Sequence, residues 1–179
     1  TGELSAEDLK ALHESGFNSA YHTLHLGEGI DTIFKPMFRL RTMSNIRDSD
    51  LNLTCGIDPI GIEHTDEEIA STLMILRDYE PMSICSMKRI NPKGTPVESI
   101  PEVDATRVAQ IAAVIRFASG GNVASVPPNK KAIEWGANST TIGTGSNPRD
   151  SVHDPSTIGD WRFDFEDVKQ MFLDCGYDI

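Results

Sequence analysis

The stretch Thr54-Cys-Gly-Ile-Asp-Pro-Ile-Gly-Ile-Glu-His-Thr-Asp-Glu-Glu68 decides how the chain is read. It divides into a strand, a loop and a helix start. Leu51, Leu53 and Cys55 alternate with polar neighbours, which is the period of a half-buried strand. Gly56, Pro59 and Gly61 predict a small-residue loop whose backbone can come close to another group. Thr65 followed by Glu68 has the spacing of a capping box, and Asp66 and Glu67 place negative charge where a first helical turn favours it. In βα enzymes the chemistry sits at such carboxyl strand ends.

The same alternation continues on both sides. Upstream, Ser5 opens a capped helix that stops at Ser15 and Gly16, and residues 17–26 are strand-like. Gly27-Glu28-Gly29 is a loop and residues 38–47 read as a helix. Downstream, residues 66–79 carry Ile69, Leu73 and Leu76 on one helical face, and Pro81 ends that helix. Residues 82–90 form the next strand, and Asn91-Pro-Lys-Gly-Thr-Pro96 is turn chemistry. Asp104 caps an apolar helix over residues 105–118, and Gly120-Gly121 stops it. A short strand at 122–126, a helix at 130–135, a strand at 139–142 and a final helix at 163–175 complete the pattern. The expected class is α/β with about five parallel strands, fewer than the eight of a (βα)8 barrel. Residues 1–150 are expected to form partial-barrel strands and helices, and residues 151–179 a C-terminal loop and helix packed on them.

Composition narrows the function classes. The 179 residues are 39% hydrophobic and 24% charged, an ordinary globular mixture with room for one core. A net charge of -11, from 27 acids and 16 bases, argues against non-specific binding to nucleic acid or anionic membrane. No apolar run approaches the ~20 residues of a membrane span, and no secretory signal pattern is visible. Three widely spaced cysteines do not make a disulfide framework, so a reducing cytoplasm is the default expectation.

Four landmarks occur in a familiar order. They are Phe38-Arg39-Leu40, Gly61-Ile62-Glu63-His64-Thr65, Asn91-Pro-Lys-Gly-Thr-Pro96 and Gly136-Ala137-Asn138-Ser139. From Thr1 to about Asn147 the chain resembles the C-terminal part of a radical S-adenosylmethionine (SAM) enzyme of the biotin synthase-like group. Leu26-Gly-Glu-Gly-Ile-Asp-Thr32, Ile60-Gly-Ile-Glu-His-Thr65 and Asn147-Pro-Arg-Asp150 resemble a narrower subgroup. That subgroup is the methanogen radical SAM protein of [Fe]-hydrogenase (iron-guanylylpyridinol) cofactor biosynthesis.

The resemblance implies the C-terminal part of a (βα)8 TIM-type radical SAM barrel. Its cofactors would be SAM and a [4Fe–4S] cluster. Cys55, Cys85 and Cys175 lie too far apart to hold that cluster as the family's three closely spaced thiolates do. The cluster ligands are therefore expected upstream of Thr1, and the chain is expected to be a fragment that does not cleave SAM alone. The whole enzyme would reductively cleave SAM to a 5′-deoxyadenosyl radical, which would abstract hydrogen from a small-molecule substrate in cofactor biosynthesis. A ferredoxin or flavodoxin would donate electrons. Two other readings stay open: a non-catalytic remnant that binds a ligand or partner, whose open sheet edges invite association, and a barrel enzyme without iron.

Site residues follow from the same resemblance. Arg39 matches the arginine that pairs with the SAM carboxylate, a task suited to a forked guanidinium. Thr23 and His25 occupy strand positions that face the ribose hydroxyls and amino group, and Glu28 can supply the carboxylate that relatives carry there. Gly61 offers open backbone to an adenosine, and Arg89, Ile90 and Asn91 would lie against adenine through main-chain groups. Cys55 aligns with the cysteine that ligates a second, [2Fe–2S], cluster in biotin synthase. Cys85 is expected to share its inward face, although buried cysteine is commonly just a small hydrophobe. Biotin synthase also uses a strand-seven arginine, and that position is Ala124, which argues against biotin formation. Glu63 and His64 can be a general base or ligand pair, or plain loop polarity. The loop over residues 143–149 is a candidate anion site or an ordinary turn.

Overall fold

The computed structural model describes residues 2–120, 123–126, 129–140 and 164–179. The order is α1 (Ala6–Glu14), β1 (Ser19–Tyr21), α2 (Pro36–Arg47), β2 (Asn52–Ile60), α3 (Asp66–Arg77) and β3 (Ser83–Lys88). It continues through α4 (Ala105–Ala118), β4 (Val123–Val126), α5 (Lys130–Glu134), β5 (Ser139–Thr140) and α6 (Phe165–Asp174). The five strands lie side by side in chain order and every pairing is parallel. A helix carries the chain from each strand to its neighbour, as in one arc of a TIM-type barrel. The arc is not closed: among the described residues β1 and β5 form its two edges.

Helix boundaries follow local chemistry. Ser5 and Asp8 cap α1 reciprocally, and Asp104 caps α4 by accepting from the Arg107 N–H at 2.8 Å. Pro36 stands at the start of α2, where its missing N–H costs nothing. The capping box expected at α3 forms by half. Thr65 Oγ1 accepts from the Glu68 N–H at 3.1 Å, but the Glu68 carboxylate turns away to the Gly27 N–H at 3.0 Å and His64 Nδ1 at 3.1 Å. Glu68 thus ties the loop after β1 to the start of α3.

One face of the sheet is apolar and carries the helices. Leu53, Cys55 and Ile57 of β2, Ile84 of β3 and Ala124 of β4 pack with Met43 and Ile46 of α2. Ile69, Leu73 and Leu76 of α3 and Val108, Ile111 and Ile115 of α4 join the same cluster. Burying each of the Leu, Ile, Val and Met side chains stabilises by roughly 1.5–3 kcal/mol. A smaller cluster joins Ile133 of α5 to Val168 and Phe172 of α6.

Strand parity overturns one expectation. Parallel partners project to the same side, and the register pairs Cys55 with Ile84 and Gly56 with Cys85. Cys55 therefore lies in the helix-side core, 1% exposed, while Cys85 projects from the opposite face. The two thiols do not share an inward face. Ala124 pairs with Ile84 and lies in the same helix-side row, so it too is turned away from the opposite face.

Two strand readings also change. Regular pairing of β1 ends at Tyr21, although the chain stays beside β2: the His22 N–H donates to Thr54 O and the Leu26 N–H to Asp58 O, each at 2.9 Å. β2 runs on to Ile60, so Gly56, Asp58 and Pro59 lie within the strand, and the loop begins only at Gly61. The anion-site loop, the ends of the last strand and helix, and the Asn147-Pro-Arg-Asp150 run fall outside the described residues.

Candidate functional site

The face opposite the helices gathers polar side chains at the carboxyl ends of β1, β2 and β3. Tyr21, Gly56, Asp58 and Cys85 come from three adjacent strands. Tyr21 Oη donates to Asp58 Oδ2 at 2.5 Å and stands 3.8 Å from Cys85 Sγ. Gly56 makes this crowding feasible. A Cβ there would collide with Cys85 Sγ and lie 2.7 Å from Tyr21 Oη. Burial, then the charges of Cys85 and Asp58, push the Tyr21 phenol far above its usual range. Burial likewise pushes the Cys85 thiol up to about 12.

Asp58 is 6% exposed, and its other oxygen meets His25 Nδ1 at 2.7 Å. That hydrogen bond raises the His25 pKa above the ordinary 6.5, against burial, which lowers it. His25 is partly open, with 37% of its side chain accessible.

Beside His25 lies the Glu28–Arg39 pair. Arg39 Nε donates to Glu28 Oε1 at 2.8 Å, and the His25 N–H donates to Glu28 Oε2 at 3.3 Å. The Glu28 side chain is 2% exposed and that of Arg39 19%. Phe34 lies against the guanidinium, whose carbon is 5.6 Å from the ring centroid. The Nη1 and Nη2 atoms make no hydrogen bond among the described residues. Arg39 also lines a cavity of about 540 Å3 with Ile33, Phe34 and Phe38.

A second group closes over Gly61. Arg89 donates both Nη atoms to the Glu63 carboxylate, the Nη2 contact being 3.2 Å. This bidentate pair holds Glu63 below the ordinary carboxylate range. Arg89 Nε donates to Asn91 Oδ1 at 2.8 Å, and Asn91 Nδ2 to Ile100 O at 2.6 Å. Ile90 is half-buried between them.

These positions refine the residue expectations. His25, Glu28 and Arg39 come together, and Arg39 and Gly61 open at the same end of the sheet. Thr23 is not brought to the opening. It is 2% exposed, and its hydroxyl donates to Gly56 O at 2.7 Å and accepts from the Gly56 N–H at 3.2 Å, replacing ladder bonds that β1 no longer makes. The backbone of Gly61 is not bare, because Glu63 Oε1 lies 2.6 Å from where a Cβ would stand. The Arg89 N–H donates to Ile60 O at 2.8 Å and the Asn91 N–H to Glu102 Oε1 at 3.2 Å, so both main-chain donors are engaged. His64 is buried between Glu68 and Glu63, a tie within the loop. Asn138 of the Gly-Ala-Asn-Ser landmark accepts from the Ala124 N–H at 2.9 Å, a bond within the sheet.

The residue that sequence reading missed is Asp58. Alternation through Thr54, Gly56 and Asp58 would have found it, since that parity places a carboxylate on the polar face.

No family model matches the chain. It is 26% identical over 163 residues to a biotin synthase of Gloeothece citriformis, covering 88% of this chain and 45% of that protein. It is 28% identical over 124 residues to the biotin synthase of Desulfatibacillum aliphaticivorans, covering 67% and 38% respectively. For the biotin synthase of Persephonella marina the identity is 29% over 120 residues, covering 65% and 35%. The chain thus spans less than half the length of these curated relatives. With the parallel sheet and its flanking helices, these matches support a biotin synthase-like radical SAM relationship for the chain.

Proposed function

We propose that this chain supplies the SAM-binding carboxyl end of a radical SAM enzyme of cofactor biosynthesis. The observation that carries the reading is Arg39. Its Nε edge is fixed by the desolvated Glu28, while its two Nη groups make no hydrogen bond among the described residues. A guanidinium held in this way is pre-organised to take both oxygens of an α-carboxylate. His25 stands next to it, joined to Glu28 through its N–H and to Asp58 through its ring. It can meet hydroxyl or amino groups of the same ligand.

SAM would supply a carbon-centred radical for hydrogen abstraction. The chain's own residues bind and orient: Arg39 takes the carboxylate, His25 a neighbouring polar group, and the Glu63–Arg89 bridge bounds the opening beyond Gly61. The three cysteines do not fit a [4Fe–4S] cluster. Cys55 and Cys85 lie on opposite faces, Cys175 ends α6, and no group of three or more metal-binding side chains occurs among the described residues. No step is assigned to a cluster on these thiols. A small-molecule substrate, an electron donor such as ferredoxin or flavodoxin, and a role in assembling the iron-guanylylpyridinol cofactor belong to the same proposal. The last is supported by the Leu26–Thr32 and Ile60–Thr65 runs.

Isothermal titration of the protein with SAM tests the reading. Binding is expected, with Arg39→Lys weakening it about tenfold or more because an ammonium lacks the fork. Absence of SAM binding, or binding indifferent to Arg39→Lys, would overturn it.

A further inference from the structure

We propose that Asp58 is the positioning residue of this opening. It holds His25 with the Nδ1 proton directed into the sheet, so that Nε2 faces the ligand. The inference rests on the reading of the opening as a ligand site.

The argument begins with what Asp58 touches. A carboxylate only accepts hydrogen bonds, so both of its contacts must bring protons. Oδ2 receives the Tyr21 hydroxyl at 2.5 Å, and Oδ1 faces His25 Nδ1 at 2.7 Å. The second contact is sound only if Nδ1 carries hydrogen. A neutral imidazole with Nδ1 protonated has a bare Nε2, and Nε2 makes no hydrogen bond among the described residues. The fixed nitrogen is thus turned to the buried Asp58, while Nε2 is unengaged among the described residues on a side chain that is partly open.

The device depends on its neighbours. Gly56 leaves space for Tyr21 to reach Asp58. The Leu26 N–H donates to Asp58 O, and the Gly27 N–H to Glu68, which fixes the backbone that carries His25. The charged and titratable groups around the ring are Asp58 from β2, Glu28 from its own loop and Arg39 from α2. Tyr21 and Cys85 act on it through Asp58. Asp58 and Glu28 favour the imidazolium, whereas Arg39 opposes it. Neutral Nε2 accepts from a hydroxyl or ammonium, and protonated Nε2 donates to an oxygen. The opening therefore changes its hydrogen-bonding character as His25 titrates.

Nitrogen-15 spectra of the histidine-labelled protein, followed between about pH 5 and 8, give the ring tautomer and titration of His25 directly. Titration calorimetry with SAM over the same range gives the affinity. The neutral Nδ1–H tautomer is expected. Asp58→Asn should release that tautomer and lower the His25 pKa, because its largest raising cause is removed. Tyr21→Phe should keep the tautomer and move the pKa upward, because Asp58 loses a competing proton donor. The pH dependence of SAM affinity should follow the His25 titration and flatten in His25→Gln.

An Nε2–H tautomer, or a His25 titration indifferent to Asp58→Asn, would overturn the positioning role. If Asp58→Asn does not fold, the wild-type tautomer and the direction of the Tyr21→Phe shift decide. A correct tautomer with unchanged pH dependence in His25→Gln would overturn the ligand-facing role. Failure of SAM to bind at any pH would overturn the parent reading, yet the spectra would still judge Asp58.

Discussion

Arg39 and Glu28 form an ion pair at 2.8 Å in which the carboxylate side chain is almost wholly withdrawn from water. A pair of this kind is costly to break from one side, because the remaining charge stays buried. Arg39→Met should therefore destabilise the protein by about 3 kcal/mol or more. Adding Glu28→Gln to it should restore much of that loss by removing the stranded charge. Chemical denaturation of the wild type, both single variants and the double variant closes the cycle. Strictly additive losses would show that the two side chains do not depend on one another.

The sequence made the alternation of elements legible because capping and periodicity are local signals. Asp104 and Gly120 bracket α4 as their chemistry requires, and Ile69, Leu73 and Leu76 enter the core as their spacing requires. What local signals could not show is where neighbouring strands place their partners. Gly56 and Pro59 carry ordinary loop chemistry, yet Gly56 sits inside β2 because Tyr21 and Cys85 from the flanking strands occupy the space of its absent side chain. Glu68 has capping-box spacing, but Gly27 and His64, reached only through the fold, compete for its carboxylate. The proximity of His25, Glu28 and Arg39 was legible through resemblance. The link from Asp58 to Tyr21 and His25 needed the register.

Gly56→Ala tests that register. The new methyl group would overlap Cys85 Sγ and press on a phenol that Asp58 holds in place, so neither neighbour can move freely. The expected loss is about 1–3 kcal/mol. Cys85→Ala in the same chain should recover part of it by vacating the sulfur's position. Thermal unfolding of the two variants supplies the comparison, and a Gly56→Ala protein as stable as wild type would place the phenol and thiol elsewhere.

His25 and Glu63 should contribute limbs of opposite sign to the pH dependence of stability. The His25 pKa is raised above 6.5, so its contribution is full below that value and is lost as pH rises through the folded-state pKa. The Glu63 pKa is lowered from 4.5, so its contribution is present above that value and is lost as pH falls through the folded-state pKa. Glu63 is 40% exposed at its side chain, and its limb should be shallow because water and salt screen the Arg89 bridge. Denaturation midpoints measured across both windows should show the alkaline limb shrink in Asp58→Asn and the acid limb shrink in Glu63→Gln. An alkaline limb unchanged by Asp58→Asn would remove the His25 account.

Thiol reactivity separates the two faces of the sheet. The thiolate is the reactive form, and burial pushes Cys55 above its ordinary range and Cys85 up to about 12. Cys55 is also enclosed by Leu53, Ile57 and the helix layer, whereas Cys85 is half-buried on the open face and Cys175 caps the end of α6. Iodoacetamide under native conditions should therefore modify Cys175 first, Cys85 slowly, and Cys55 only on unfolding. Peptide mass spectrometry over a time course reads the order. Early labelling of Cys55 would mean that β2 turns its odd-numbered side chains towards the opening, which would exchange Asp58 for its neighbours and dissolve the arrangement around His25.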